Sequence, residues 1–223
     1  MECLLCQTPH SAAFKVVKKP ERSYYHCAQC DLIFMNPKER LDAAQEKARY
    51  DFHQNEDMKG YRAFLEPLVK DVEQFAKNAK REPSDVSVLD YGCGPTAFLG
   101  NWFTEKSFRV TNYDLYYFPD QDSLKKSYHV ITSTEVWEHL YDPRAELVKM
   151  IKMLKTGGIL AVMTSSHKGE AAFHDWYYRR DLTHVTFFSE KTMKWIADHF
   201  NLQLIKGRSP YWIFQKWDAQ TPS

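Results

Sequence analysis

The stretch Val88-Leu89-Asp90-Tyr91-Gly92-Cys93-Gly94-Pro95 decides the fold. A compact apolar strand, Val86 to Asp90, runs into two glycines one residue apart, and a helical segment, Ala97 to Glu105, follows. Glycine permits the tight turn and lets a ligand lie against backbone that a Cβ would block. A second strand, Arg109 to Asp114, ends on a carboxylate twenty residues beyond Gly94, where it can accept both hydroxyls of a ribose.

The same alternation continues outward. His129 to Thr134 reads as a third strand, and Asp142-Pro143 supplies an N-cap and first-turn proline to a helix that buries Leu147, Val148, Ile151 and Leu154. That helix is expected to end at Gly157-Gly158, before a strand from Ile159 to Met163. Ser189 caps a last helix with Met193, Ile196, Ala197 and Phe200 inward, and Leu202–Ile205 with Tyr211–Gln215 form closing strands. Strands alternating with helices predict an α/β fold, a Rossmann-like sheet with helices on both faces and ligands at the carboxyl ends of the strands. Upstream, Pro37 to Arg81 is helical in character, with a kink or a fresh helix start expected at Pro67 and a loop over Arg49–Asp57.

A nicotinamide or flavin fingerprint would place its third glycine at Ala97, and its pyrophosphate would meet Asp90 just before the turn. A carboxylate there repels a pyrophosphate and suits a ligand with an ammonium group, so an adenosine-containing cation fits better.

These residues resemble the signature of the class I S-adenosylmethionine-dependent methyltransferases. Asp90-x-Gly92-x-Gly94 matches their glycine turn, Asp114 their second acidic position, and Leu154-Lys155-Thr156-Gly157-Gly158 the turn before their fifth strand. Thr134-Glu135-Val136-Trp137-Glu138-His139-Leu140-Tyr141-Asp142-Pro143 resembles the E-V-x-E-H-x-x-D-P run of many members. The resemblance covers about residues 85–206 and implies S-adenosylmethionine as cofactor, held by Asp90, Gly92, Gly94, Asp114, Glu135 and Trp137. Only fourteen residues, Leu115 to Tyr128, separate Asp114 from the next strand, where the family fits a helix and another strand. That region is expected to be abbreviated.

Two C-x-x-C pairs, Cys3/Cys6 and Cys27/Cys30, stand twenty residues apart in a segment that otherwise alternates like short strands. Four thiolates so spaced converge on a tetrahedral metal, which a forty-residue segment needs because its own core is too small. A structural Zn²⁺ is expected, with Cys93 left as a small turn residue. The chain of 223 residues then divides into a zinc ribbon (1–40), a helical cover (41–84) and a methyltransferase domain (85–223).

The net charge of +1 argues against holding nucleic acid by bulk electrostatics. Residues 1–40 carry six basic and four acidic side chains, and four thiolates around one divalent ion bring that segment to neutrality. No apolar run has membrane-spanning length, so a cytoplasmic protein is expected. For the acceptor side the candidates are Tyr50, His53, Tyr61 and Tyr177, with His184 and Glu135 as catalytic groups. The expected activity is O- or N-methylation of a small molecule. The alternatives are an RNA or protein methyltransferase that grips its substrate with the ribbon, or a non-catalytic S-adenosylmethionine-binding protein.

Overall fold

The computed structural model describes residues 1–9, 11–52 and 58–217. The central sheet has six strands in the order β5-β4-β6-β7-β10-β9. Strands β4 (Ser87–Tyr91), β5 (Arg109–Tyr113), β6 (Tyr128–Thr134) and β7 (Leu154–Met163) run parallel. β9 (Leu202–Arg208) and β10 (Tyr211–Lys216) form an antiparallel hairpin that closes on β7. The inner strands are apolar on both faces, as a parallel sheet covered on both sides requires. Between Asp114 and β6 there is only a single 3₁₀ turn at Ser123–Lys125, so the expected abbreviation leaves β5 as the outer edge of the sheet.

On one side of the sheet, α2 (Met58–Asn78) lays Leu65, Leu68, Val69, Val72 and Ala76 against Val88, Val130 and Ile159, beside α3 (Phe98–Glu105). On the other side, α4 (Pro143–Met153) and α6 (Glu190–His199) bury Leu147, Met150, Met193 and Ile196. Asp142 caps α4 through Ala145 N–H, and Ser189 with Thr192 forms a capping box on α6. α2 runs unbroken through Pro67, where sequence alone predicts a kink or a new start. The glycine pair also differs from expectation: α4 ends at Met153, and Gly157-Gly158 lie inside β7. Tyr128 pairs with Leu154 but Val130 with Ile159, so the glycines absorb extra residues in a bulge.

The N-terminal segment folds as β1 (Ala12–Val16), β2 (Arg22–His26) and β3 (Ile33–Met35), all antiparallel. A fourth strand, β8 (Thr186–Phe187), comes from far along the chain and pairs with β3, Ile33 opposite Phe187 and Phe34 opposite Thr186. Cys3, Leu5, Leu32 and Phe34 share a core cluster with Leu89, Trp137, Phe188 and Ile196. Helix α1 (Ala43–Phe52) then crosses the strand ends, so the expected loop from Arg49 is helical through Phe52. No helix among the described residues is long and apolar enough to cross a membrane.

Candidate active site and metal centre

Beyond the carboxyl end of β4 the backbone turns sharply. Gly92 N–H and Cys93 N–H both donate to the Tyr113 carbonyl, at 2.8 and 3.1 Å. A Cβ on Gly92 would sit 2.3 Å from a methyl of Val136, so the loop packs too closely on the β6 exit for any side chain. Gly94 has φ +64° and nothing within 4 Å of where its Cβ would be, which leaves backbone open to a ligand.

Asp114 is half-buried beside it. One oxygen accepts Gly94 N–H at 3.0 Å, and the other accepts Tyr116 N–H and Tyr117 N–H at 2.9 and 3.1 Å. It therefore ties the glycine loop to the turn after β5, with carboxylate lone pairs remaining at the cleft. Asp90 differs from the sequence expectation. It is 1% exposed, accepting Gly100 N–H at 3.1 Å and the Thr132 hydroxyl at 2.9 Å, so it pins α3 and β6 from beneath the loop and does not meet a ligand's ammonium. Burial pushes its carboxyl up to about 6.

β6 delivers Glu135, which has φ +54° and donates its N–H to Met163 O at 2.8 Å. Its Oε1 is buried without a hydrogen-bond partner, and burial, then the charge of Glu138, pushes the carboxyl up to about 8. Trp137, expected at the cofactor, is instead core: it is 1% exposed, between Phe188 and Phe214 at centroid distances of 5.3 and 6.3 Å. The next residue, Glu138, is fully buried and accepts Thr164 and Tyr178 hydroxyls at 2.8 and 2.6 Å.

His184 reaches the same place from the loop before β8. Its ring lies 4.7 Å from that of His139 and 4.3 Å from that of Tyr178, and its Nδ1 is 2.6 Å from Tyr178 O. Burial pulls its imidazole below the ordinary range. Tyr50 of α1 sits edge-on over His139 at 5.2 Å, and Glu46 accepts the hydroxyls of Tyr50 and Tyr116 at 3.1 and 2.8 Å. Tyr61 packs on Phe98, its phenol pushed up to about 12 by burial and then by the charge of Asp90. Tyr177 is 67% exposed and points away, and its neighbour Tyr178 occupies the cluster. His53 lies outside the described residues. Sequence reasoning missed Glu46, Tyr116 and Tyr178, and read Glu138 only as part of a motif. Of these, Glu138 alone carried a signal, its place beside His139.

The four N-terminal cysteines meet as expected. Cys3 and Cys30 sulfurs are 3.5 Å apart and Cys6 and Cys27 sulfurs 3.4 Å, with all four within 4.8 Å of one another. Disulfides need about 2.05 Å, whereas a tetrahedral zinc with ~2.3 Å bonds spaces its sulfurs by about 3.8 Å. The donor set thus fits zinc. Each knuckle closes the same way, with Gln7 N–H on Cys3 O and Asp31 N–H on Cys27 O, and Gln7 and Asp31 both at positive φ. His26 is not a ligand here, being bonded to Asp31 at 2.9 Å.

A family model described as a methyltransferase domain matches residues 58–206. A comparison with curated proteins finds no match. Among solved structures, the plantazolicin methyltransferase BpumL, in complex with a triazolic desmethylPZN analog and SAH, is 12% identical with a TM-score of 0.50 over 78% of this chain and 91% of that one. The magnesium protoporphyrin IX methyltransferase ChlM from Synechocystis PCC 6803, with bound SAM, is 11% identical with a TM-score of 0.48 over 79% of this chain and 92% of that one. A SAM-dependent methyltransferase from Archaeoglobus fulgidus is 18% identical with a TM-score of 0.42 over 64% of this chain and 74% of that one. At such identities the likeness is one of fold. The family match spans well over half of the sequence, and the glycine turn and sheet order agree with it: the chain belongs to the methyltransferase-domain family and is a SAM-dependent methyltransferase of the class I fold.

Proposed function

We propose that this enzyme methylates an oxygen or nitrogen of a small molecule bound between α1 and the carboxyl ends of β4 and β6. The observation that carries the reading is the roof over the cleft. α1 is fastened across it by Tyr50 on His139 and by Glu46 holding both Tyr50 and Tyr116. An aromatic and acidic cover over the strand ends suits a small acceptor better than a nucleic-acid strand, and the ribbon's net neutrality gives phosphate no bulk attraction.

When bound, S-adenosylmethionine supplies a sulfonium methyl already activated for displacement. Asp114 is assigned to the ribose hydroxyls, and the backbone at Gly92 and Gly94 to close approach of the adenosine half. Glu135, at the β6 exit, is assigned the proton that the acceptor gives up, received at Oε1. His139 and His184, each with Nδ1 near a backbone carbonyl, are assigned to the acceptor end of the site. The helix roof excludes water and aligns the acceptor, which is the larger part of the task once the donor is activated. Residues 1–40 are read as a ribbon folded by a structural zinc, residues 41–84 as a cover and residues 85–223 as the catalytic domain.

The test is S-adenosylhomocysteine release across panels of phenols, alcohols, amines, peptides and RNA. Turnover is expected with small acceptors. Turnover with RNA or protein alone, or cofactor binding with no turnover on any panel, overturns the reading.

A further inference from the structure

Glu138 is 0% exposed, yet among the described residues no lysine or arginine pairs with it. Its carboxylate accepts from two neutral hydroxyls, those of Thr164 and Tyr178. A buried carboxylate is stable only when its charge is balanced or its proton retained. His139 Nδ1 is 3.1 Å from Thr183 O and His184 Nδ1 is 2.6 Å from Tyr178 O. A carbonyl only accepts, so each Nδ1 carries its hydrogen and each neutral imidazole keeps its lone pair on Nε2. His139 Nε2 lies 4.0 Å from Glu138 Oε1, and one ligand atom from each of Glu138, His139 and His184 falls within 4.8 Å of the others.

Two imidazoles and a carboxylate gathered within 4.8 Å of one another are a donor set that a cation between them would balance. Glu135 adds a second carboxyl close enough to feel Glu138, with one oxygen buried and unpartnered. Histidines whose Nδ1 is fixed by a backbone carbonyl are the form that metal ligands take, because the carbonyl sets the tautomer and aims the ring.

We propose that Glu138, His139 and His184 form a second metal site, a two-imidazole, one-carboxylate set for a divalent cation such as Mn²⁺, separate from the four-sulfur site. Bonds of about 2.1–2.2 Å place neighbouring ligands ~3 Å apart, so the set, with one pair at 4.0 Å and all atoms within 4.8 Å, closes on an ion by about 1–2 Å. Three protein ligands leave positions open, and His139 is the member that reaches the acceptor side, under Tyr50. A hard cation there favours an acceptor that presents a hydroxyl, because it binds oxygen and acidifies it. That use of the ion rests on the proposed methylation of a small molecule; the binding itself does not.

The test is a titration of the full chain with Mn²⁺, followed by the electron paramagnetic resonance of the free ion, since thiolates compete poorly for so hard a cation. The expected result is one saturable Mn²⁺ per chain. Affinity should fall tenfold or more in each of Glu138→Gln, His139→Gln and His184→Gln, and stay unchanged in the half-exposed control Glu170→Gln. Circular dichroism and S-adenosylmethionine binding show which variants are folded, and only those are compared. An absence of saturable binding in the wild type overturns the site, as does equal affinity in every folded ligand variant. Mn²⁺ binding with no turnover of any acceptor sinks the proposed activity and leaves the site standing; turnover of small acceptors with no Mn²⁺ binding does the reverse.

Discussion

Asp90 holds its proton more tightly in the folded protein than the ordinary carboxyl near pH 3.9 does in an open chain. Between about pH 4 and 6 the native state therefore carries the extra proton, and stability falls as pH rises through that window. Asp90→Asn should flatten this part of the profile, removing a slope worth up to about 3 kcal/mol. Urea unfolding midpoints measured from pH 4 to 7 check it, and an unchanged slope places the titrating group elsewhere. Asp114 plays the other part, at the rim of the cleft. Asp114→Ala should weaken S-adenosylmethionine binding by about tenfold or more, and Asp114→Asn, which still accepts Gly94 N–H, by less. Calorimetric titration with the cofactor decides it, and an unaltered affinity in the alanine variant removes Asp114 from the site. Spacing after a glycine turn made Asp114 readable, because strand length fixes where such a carboxylate emerges. Tyr177 and Tyr178 are adjacent on a 3₁₀ turn, and nothing local in their types says which one faces inward. Trp137 was misread for a related reason: an indole on the exit of a buried strand fits core and ligand equally well until its neighbours, Phe188 and Phe214, are known.

Elements with strong punctuation were the most legible. Asp142-Pro143 and Ser189 mark helix starts because their side chains satisfy N–H groups that the helix leaves open. α2 shows the limit of such rules. Pro67 sits inside it on an exposed position, removing one backbone hydrogen bond, yet the buried stripe from Leu65 to Ala76 keeps the helix whole. Pro67→Ala should therefore raise stability by about 1–3 kcal/mol, seen as a higher thermal midpoint with unchanged helix content. A lower midpoint means that the proline ring itself contributes to how α2 packs. β3 and β8 were the least legible elements. They have three and two residues and are buried throughout, so no alternation announces them. β8 pairs with β3 across some 150 residues of intervening chain.

Across the whole molecule, the ribbon is joined to the catalytic part by more than a linker. Met35 N–H donates to Val185 O and Val185 N–H to Glu138 O, both at 2.8 Å, so one short relay runs from the ribbon past His184 to the β6 exit. Cys27→Ser should lower bound zinc from one equivalent and, with it, the hydrogen-exchange protection of both the Met35 and the Val185 amides. Loss at Met35 with Val185 still protected shows that the two parts unfold independently.

The shared sheet also bears on descent. Phe187 packs against Tyr24 and Phe173, and among the described residues its strand pairs only with β3. A lineage that discarded the first forty residues would inherit a bare strand edge and an aromatic face open to water, a combination that invites self-association. Thr186-Phe187-Phe188 and the paired cysteines are therefore expected to be gained and lost together, although some 150 residues lie between them in the sequence.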